Sequence, residues 1–221
     1  MAVVKKILGW LLPSRVRHVH GKITKVLEVS FENGKKVLNA GVVNYSFGAL
    51  HDVFRIALQK AMLIENPPEK VLILGLGAGS IVQIIVEEYG QDPEITGIEA
   101  DEMVIHLAKT EFDIDRFIHL EIENVSAEKF ISENKKRFDL IAVDVFVEAD
   151  VPKSCKTEKF LHDLYESLLP NGRVVFNEMP TKNPSGENDF SNRFKKQFDK
   201  VEIHELKLGE STNLIWIGYR K

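Results

Sequence analysis

The sequence has little cysteine and no excess of charge of either sign. Cys155 is the single cysteine among 221 residues, so an intramolecular disulfide is excluded and a reducing, cytoplasmic environment is expected. No catalytic motif surrounds this thiol, and we expect it to be an ordinary loop residue. Basic and acidic residues number 29 and 33, a formal net charge of −4. Nucleic acids and anionic membranes attract basic surfaces, so we expect neither as a partner.

Long hydrophobic runs and metal-ligand clusters are also missing. The apolar stretch at residues 7–12 is far shorter than the roughly 20 residues of a membrane span, and Pro13 follows it where a signal peptide would have small residues. We expect a short amphipathic helix that docks on the protein's own core or on a partner subunit, without integral membrane association. His18 and His20 share one face of a predicted strand, but no third ligand accompanies them, so no metal site is predicted.

Apolar periodicity predicts an α/β protein. At 44% hydrophobic and 28% charged residues, the composition is that of an ordinary globular chain. Five short apolar runs alternate with stretches of helical spacing. The predicted strands are 71–74, 95–98, 119–122, 140–143 and 173–177, and the predicted helices are 80–88, 101–110, 127–134 and 157–168. This alternation indicates a doubly wound, mostly parallel sheet with helices on both faces.

Both ends of the sequence predict antiparallel strands. Alternating residues at 15–20, 23–31 and 36–40, with a turn at 32–34, predict a small antiparallel β unit. A helix at 50–64 follows it. Beyond the parallel strands, a helix at 189–198 precedes a hairpin of 201–208 and 212–219, which brings the large sheet to seven strands. We expect two regions, an N-terminal helix with the β unit at residues 1–48 and an α/β domain at residues 49–221.

A glycine-rich turn follows the first parallel strand. Residues 71–80 read VLILGLGAGS. Gly75 would let the chain leave the strand sharply, and Gly77 would let the backbone approach a ligand with no Cβ between them. Glu99 ends the next strand, at close to the spacing of about 20 residues where an acid binds ribose hydroxyls. The pattern predicts a nucleoside-cofactor site.

Four short segments, in the order in which they follow one another along the chain, carry a resemblance to a known family. They are residues 71–79, residues 97–101 (GIEAD), residues 138–146 (FDLIAVDVF) and residues 168–177 (LLPNGRVVFN). Together they resemble the spermidine synthase family and its S-adenosylmethionine methyltransferase-like relatives. The resemblance covers residues 22–221 and implies a methyltransferase-like Rossmann fold, with S-adenosylmethionine or decarboxylated S-adenosylmethionine as the cofactor and a small molecule as the substrate.

The resemblance also implies roles for residues at the strand tips. Glu99 would bind the ribose, Ser126 would lie beside the adenine, and Asp144 would face the sulfonium and act as the catalytic base. Ligands in open α/β sheets lie beyond the carboxyl ends of the strands, which independently places Asp144 at the site. Residues 45–48 would form a wall of the acceptor pocket. The cofactor-binding set is Gly75, Leu76, Gly77, Ala78, Gly79, Glu99, Ala100, Ser126 and Asp144.

The sequence departs from the family at the acids that hold amines. Aminopropyltransferases carry one acid inside the glycine loop and another three residues after the acid at the fourth strand tip, where this chain has Ala78 and Val147. Burying a cationic amine without a partner is costly, so the usual polyamine pocket is in doubt. Glu148 and Asp150 on the same loop are possible substitutes. Ser126 replaces the family's adenine-side aspartate.

These residues favour a transferase that moves a methyl group to an amine or hydroxyl of a small molecule. Three alternatives stay open: an aminopropyltransferase, a noncatalytic nucleoside-binding or scaffold protein, and an NAD-dependent oxidoreductase in which Ser80 would complete the glycine fingerprint. The terminal hairpin argues against the oxidoreductase. The apolar N-terminus and the resemblance also predict a homodimer.

Overall fold

The computed structural model describes most of the chain. The described residues are 14–21, 23, 26–32, 34–40, 43–147, 150–179, 184–208 and 211–221. The apolar segment at residues 7–12 and the side chain of Glu148 lie outside them, so the predictions made for both stay predictions.

Four antiparallel strands form a small sheet. They are β1 (Ser14–Val19), β2 (Leu27–Glu32), β3 (Lys35–Ala40) and β4 (Val43–Ser46), in that spatial order. The predicted antiparallel unit is confirmed, but the predicted second strand began too early, at Ile23. The sequence gives no signal for β4, because this strand has only four residues and pairs with β3 through an irregular register.

Seven strands form the central sheet. They are β5 (Lys70–Leu74), β6 (Glu94–Glu99), β7 (Leu120–Asn124), β8 (Phe138–Val143), β9 (Leu168–Glu178), β10 (Lys200–Leu208) and β11 (Ser211–Tyr219). Their order is β10-β11-β9-β8-β5-β6-β7. Strands β5 to β9 are parallel, whereas β11 runs antiparallel to both β9 and β10. The predicted mostly parallel sheet with a terminal hairpin is confirmed.

Helices cover both faces of this sheet. They are α1 (Gly48–Lys60), α2 (Ser80–Gln83), α3 (Glu102–Phe112), α4 (Ala127–Glu133), α5 (Glu158–Glu166) and α6 (Pro184–Gln197). A π-helical turn, Ile84–Glu88, continues α2, and 3₁₀ turns occupy Ile114–Arg116 and Lys153–Lys156. Three helices begin at a side chain that accepts a hydrogen bond from a backbone amide of the first turn, which satisfies a donor that would otherwise have no partner. These caps are Asp101, Ser126 and Thr157.

Alternation along β5 divides the core into two layers. Val71 and Ile73 pack with α1 and α2 on one face, and Leu72 and Leu74 pack with α4, α5 and α6 on the other. All four side chains are fully buried. A strand buried on both faces reads as an unbroken apolar run, which is why the sequence identifies β5 so clearly.

The small sheet packs against α3 and the turn that follows β5. Leu27, Val29 and Leu38 of the sheet form one buried cluster with Ala78 and with α3 side chains. Lys36 adds an ion pair with Glu111 at 3.1 Å. The small sheet therefore covers the helix and the turn next to the predicted nucleoside site. The boundary between residues 48 and 49 stays a prediction.

Helix α1 is shorter than the sequence predicts. The apolar spacing indicates a helix to Ile64, but α1 ends at Lys60, and Met62 adopts a positive φ of 55°. The helical spacing would place Met62 on the buried face, yet it is 48% exposed. Leu63 takes the buried position after the turn, so the chain keeps an apolar contact without continuing the helix.

A buried ion pair fixes the end of β9. Glu178 is fully buried, and its two carboxylate oxygens accept from Lys156 Nζ at 2.5 Å and from Trp216 Nε1 at 2.9 Å. Lys156 also lies over the ring of Phe190, at 5.6 Å from its centroid. These contacts tie the 3₁₀ turn at Lys153–Lys156 to β9 and β11.

Within the described part of the chain, no helix has the length and apolarity needed to cross a membrane.

We expect Lys156→Met to lower the free energy of unfolding by about 3–5 kcal/mol, because the substitution leaves a buried carboxylate without its cation. Urea denaturation at pH 7 measures the loss. The double variant Lys156→Met, Glu178→Gln keeps an acceptor for Trp216 but removes the unpaired charge, so it should recover most of the stability. Lys159→Met, at a side chain that is 71% exposed, is the surface control. Equal losses in the single and double variants would contradict this account.

Candidate functional site

A cavity of about 200 Å³ opens at the carboxyl ends of the parallel strands. It lies where β5, β6, β7 and β8 each end, the part of an open α/β sheet where ligands bind. Ile23 between β1 and β2, Leu50 of α1 and the loop after β8 complete its walls. Six of the predicted site residues line this cavity: Gly75, Gly77, Glu99, Ala100, Ser126 and Asp144.

Gly75 makes the sharp turn at the end of β5. Its φ is +86°, a conformation that side chains rarely adopt. The backbone amides of Gly75 and Leu76 both donate to the carbonyl oxygen of Ile98, each at 2.9 Å. A Cβ on Gly75 would lie 2.2 Å from the carbonyl oxygen of Asp144. Only glycine therefore lets the turn after β5 approach the end of β8 this closely.

Glu99 links that turn to the start of α3. Its carboxylate accepts from Gly77 N and from Asp101 N, both at 3.0 Å. The side chain is 5% exposed, and burial raises the pKa of Glu99 while these backbone hydrogen bonds oppose the rise. Each carboxylate oxygen has a further lone pair. Glu99 can therefore shape the turn and still accept hydrogen bonds from a pair of hydroxyls in the cavity.

Asp144 lies at the tip of β8 in a chain of three polar side chains. Asn177 Nδ2 donates to Asp144 Oδ1 at 2.9 Å, and Asn213 Nδ2 donates to Asn177 Oδ1 at 2.9 Å. Both asparagines are buried. The pKa of Asp144 is raised to about 7, mainly by desolvation. The hydrogen bond from Asn177 lowers this pKa, and the nearby negative charge of Glu99 raises it. A carboxyl group with this pKa is suited to accept a proton near neutral pH.

Ser126 and Glu128 form the far side of the cavity. Ser126 Oγ accepts from Lys129 N at 3.3 Å and so begins α4. Glu128 lines the cavity and accepts a short hydrogen bond from Ser154 Oγ. Desolvation raises the pKa of Glu128, but its hydrogen bonds, led by the one from Ser154, outweigh this effect and lower it. Glu128 is not among the predicted site residues, although an acid two residues after Ser126 is a signal that the sequence contains.

Cys155 is part of the same wall. Its side chain is fully buried and lines the cavity next to Glu128. Burial raises the pKa of the Cys155 thiol, which keeps it protonated. Cys155 is thus a buried residue of a 3₁₀ turn rather than an ordinary loop residue, and a protonated thiol is a weak nucleophile.

Three residues of the predicted cofactor set face away from the cavity. Leu76 packs against Gly97, where an added Cβ would lie 2.9 Å from Leu76 Cδ1. Ala78 is buried beneath the small sheet. Gly79 has a φ of +94° and lies against the side chain of Ile114. These residues hold the shape of the turn and do not line the cavity. Of the glycine-rich turn, a ligand in the cavity would contact only Gly75 and Gly77.

The loop after β8 presents an apolar side chain to the cavity. Val147 lines the cavity and is 48% exposed. Its backbone pairs with that of Asp150, with N–O distances of 2.9 and 3.2 Å. Asp150 is exposed and does not line the cavity.

Two residues of the predicted acceptor wall at residues 45–48 lie outside this cavity. Phe47 and Gly48 line a separate depression beside α1. The ring of Phe47 stacks on Phe112 and on His51, with centroid distances of 5.2 and 5.7 Å. His51 in turn bonds Ser80 and Glu88, so this part of the chain packs α1 against the helix after the glycine turn. The side chain of Tyr45 is outside the described residues.

The donor chemistry of the cavity suits an organic ligand. Across the described ranges, no group of three or more His, Cys, Asp or Glu side chains is arranged to hold a metal ion. The cavity instead combines backbone at Gly75 and Gly77, the buried acceptor Glu99, and the carboxyl group of Asp144 across the turn. This arrangement can bind a hydroxyl-bearing nucleoside on one side and accept a proton on the other.

Comparison with known proteins finds relatives in sequence, similar solved structures and a matching family model. A polyamine aminopropyltransferase from Vibrio vulnificus is 27% identical over 130 residues, which cover 57% of this chain and 43% of that protein. The chain thus spans less than half the length of this relative. A probable spermidine synthase from Corynebacterium glutamicum has a similar structure, with a TM-score of 0.71, 18% identity, and coverage of 94% of this chain and 80% of that one.

Human methyltransferase-like protein 13, solved in complex with SAH, is also similar. Its TM-score is 0.66 at 18% identity, with coverage of 79% of this chain and 83% of that one. The family model described as a methyltransferase domain matches residues 65–213. Because that range is well over half of the chain, the protein belongs to the methyltransferase domain family, as a divergent, spermidine synthase-like member.

Proposed function

We propose that the protein is a transferase that uses S-adenosylmethionine to methylate an amine or hydroxyl of a small molecule. The observation that carries this proposal is the placement of Glu99 and Asp144 in one cavity, on the two sides of the turn at Gly75. Glu99 offers acceptor oxygens to a ribose, and Asp144 offers a carboxyl group with a pKa of about 7 to a nucleophile.

The strand tips would hold the cofactor. Gly75 and Gly77 would lie against its amino-acid portion, Glu99 and Ala100 beside the ribose, and Ser126 near the adenine. A cavity of about 200 Å³ is smaller than the roughly 300–1,000 Å³ of typical small-molecule sites, so a whole cofactor would also occupy the open cleft beside it. Leu76, Ala78 and Gly79 would contribute through the conformation of the turn.

The surroundings of Val147 favour the carboxylated cofactor. Val147 is an apolar part of the cavity wall, whereas Ala78 is buried under the small sheet and faces away from the cavity. Both cofactors carry a primary ammonium group, but in the decarboxylated form this group has no carboxylate beside it and would find no acid at Val147. Because an unpaired buried charge costs several kcal/mol, decarboxylated S-adenosylmethionine is the poorer fit.

Asp144 would act on the acceptor. The cofactor, when bound, supplies a carbon that is activated by its bond to a sulfonium, and the protein aligns the acceptor with this carbon. Asp144 accepts the proton that the acceptor's oxygen or nitrogen loses. Asn177 fixes the carboxyl group through its hydrogen bond to Oδ1, and Asn213 fixes the amide orientation of Asn177.

Aminopropyl transfer is the second candidate. Similarity to a polyamine aminopropyltransferase supports it, while Ala78 and Val147 count against it. A scaffold protein that binds a nucleoside without catalysis and an NAD-dependent oxidoreductase are alternatives with less support. The carboxyl group of Asp144 in the cavity favours catalysis over a scaffold, and the terminal hairpin argues against the oxidoreductase. A homodimer, a cytoplasmic location and the absence of a nucleic-acid partner stay predictions.

Calorimetric titration with four ligands tests the proposal. We expect S-adenosylmethionine to bind at least about tenfold, or 1.4 kcal/mol, more tightly than decarboxylated S-adenosylmethionine, and NAD not to bind. A preference for the decarboxylated form would favour aminopropyl transfer, and binding of NAD would favour the oxidoreductase. Methylthioadenosine, which lacks the amino-acid portion, is the control for the nucleoside part of the site.

Glu99→Ala should weaken the binding of S-adenosylmethionine and methylthioadenosine alike, by about tenfold or more, because both ligands carry the ribose. Glu94→Ala removes an exposed acid at the opposite end of the same strand and should leave both affinities unchanged. Unchanged affinity in Glu99→Ala would refute the ribose assignment.

Asp144→Asn should lower turnover by about 100-fold with little loss of cofactor affinity, because the amide keeps the size of the carboxyl group but cannot accept the proton. Single-turnover transfer and cofactor titration separate the two effects. Equal turnover in the variant and the wild type would remove Asp144 as the base.

The rate of transfer should rise with pH through about 7, where Asp144 loses its proton. Asn177→Leu removes a hydrogen bond that favours the charged carboxylate, so it should move the midpoint of this rise to higher pH. Rates measured from pH 5 to pH 9 check both expectations. A midpoint that stays in place in Asn177→Leu would show that the hydrogen bond does not tune the base.

A further inference from the structure

The cavity has a polar side and an apolar side. In the sheet, β6 and β7 lie on one side of β5, and β8 and β9 lie on the other. The predicted ribose and adenine contacts follow β6 and β7. The acceptor must therefore approach from the side of β8 and β9, next to Asp144.

The acceptor side is lined by apolar groups. Phe146 and Val147 follow β8, Met179 follows β9, and Leu50 reaches the cavity from the first turn of α1. Val147 is 48% exposed, and Phe146 and Met179 are partly exposed. A ligand that enters here meets carbon and sulfur atoms over most of its surface.

Four acids line the cavity, and three of them lie on the nucleoside side. Glu99 accepts from two backbone amides, and Asp101 accepts from Met103 N and Ile23 N at 3.0 Å each. Glu128 accepts from Ser154 across the wall next to Cys155. Among the described residues of the cavity, Asp144 is the acid on the acceptor side.

Asp144 is a poor counter-ion for a polyamine. Burial raises its pKa to about 7, so the gain from pairing with a cation would be offset by the cost of ionising the buried carboxyl group. A diamine carries two charges, and among the described side chains on the acceptor side only Asp144 carries a carboxylate. The second ammonium group would exchange part of its hydration for contact with the apolar side chains of Phe146, Val147 or Met179, which is unfavourable.

We propose that the acceptor is a neutral small molecule with an apolar body that carries one hydroxyl or aromatic amine group, and that polyamine cations are excluded. This inference rests on the proposed transferase function and specifies its substrate class. The apolar body would displace water from the walls beside β8 and β9, a favourable transfer, and the hydroxyl or amine would donate to Asp144.

Calorimetric titration of the full-length protein tests this inference in two steps. The protein is first titrated with S-adenosylhomocysteine, and the loaded protein is then titrated with 4-propylphenol as the neutral probe and with putrescine as the cationic probe. We expect 4-propylphenol to bind at least about tenfold more tightly than putrescine. No binding of S-adenosylhomocysteine would overturn the proposed function. Binding of S-adenosylhomocysteine with no binding of 4-propylphenol, or with putrescine bound equally or better, would overturn the acceptor class alone.

A charge placed on the acceptor side gives a second test. Val147→Asp should reverse the preference, with putrescine affinity raised about tenfold and 4-propylphenol affinity lowered. Ile118→Asp adds the same charge at a side chain that is 84% exposed and outside the cavity, and it should change neither affinity. The same response to both substitutions, or no response to Val147→Asp, would show that Val147 does not determine the acceptor class.

Discussion

The close approach between Gly75 and the backbone of Asp144 is the constraint on which the site depends. The position of a Cβ at Gly75 is 2.2 Å from the carbonyl oxygen of Asp144, so the turn after β5 and the tip of β8 touch through backbone atoms alone. This contact brings Glu99, which holds the turn, to the same cavity as Asp144. A side chain at this position would separate Glu99 and its turn from Asp144.

Stability and function oppose each other at this contact. The pKa of Asp144 lies near 7 in the folded protein, against 3.8 for an unperturbed group. Between these values the folded state holds more protons than the unfolded state, so the contribution of Asp144 to stability falls as pH rises from about 4 to 7. Above pH 7 the charged carboxylate lowers the stability of the fold, yet it is then the form that can take a proton.

Local sequence patterns were enough to predict the strands and the glycine turn, whereas the side-chain contacts between distant segments could not be predicted. The apolar run of β5, the glycine turn and Glu99 are adjacent in sequence or separated by one helix, so spacing was enough to predict them. Asn213 orients Asn177, 36 residues away in the sequence, and Lys156 pairs with Glu178, 22 residues away. Hydrophobic periodicity does not predict contacts at such sequence separations. Ala78 lies in the glycine turn, but the small sheet decides that it faces away from the cavity.

Strand β11 lies between β10 and β9, although it follows both in the chain. During synthesis, β9 and β10 emerge from the ribosome before the strand that joins them, and β10 has no partner in the sheet until β11 arrives. Asn213 is part of β11. The hydrogen bond from Asn213 that orients Asn177 therefore requires β11, whereas Asn177, the glycine turn and Glu99 all precede β11 in the chain. The nascent protein would hold Glu99 and Asp144 before β11 completes the hydrogen-bonded chain from Asn213 through Asn177 to Asp144.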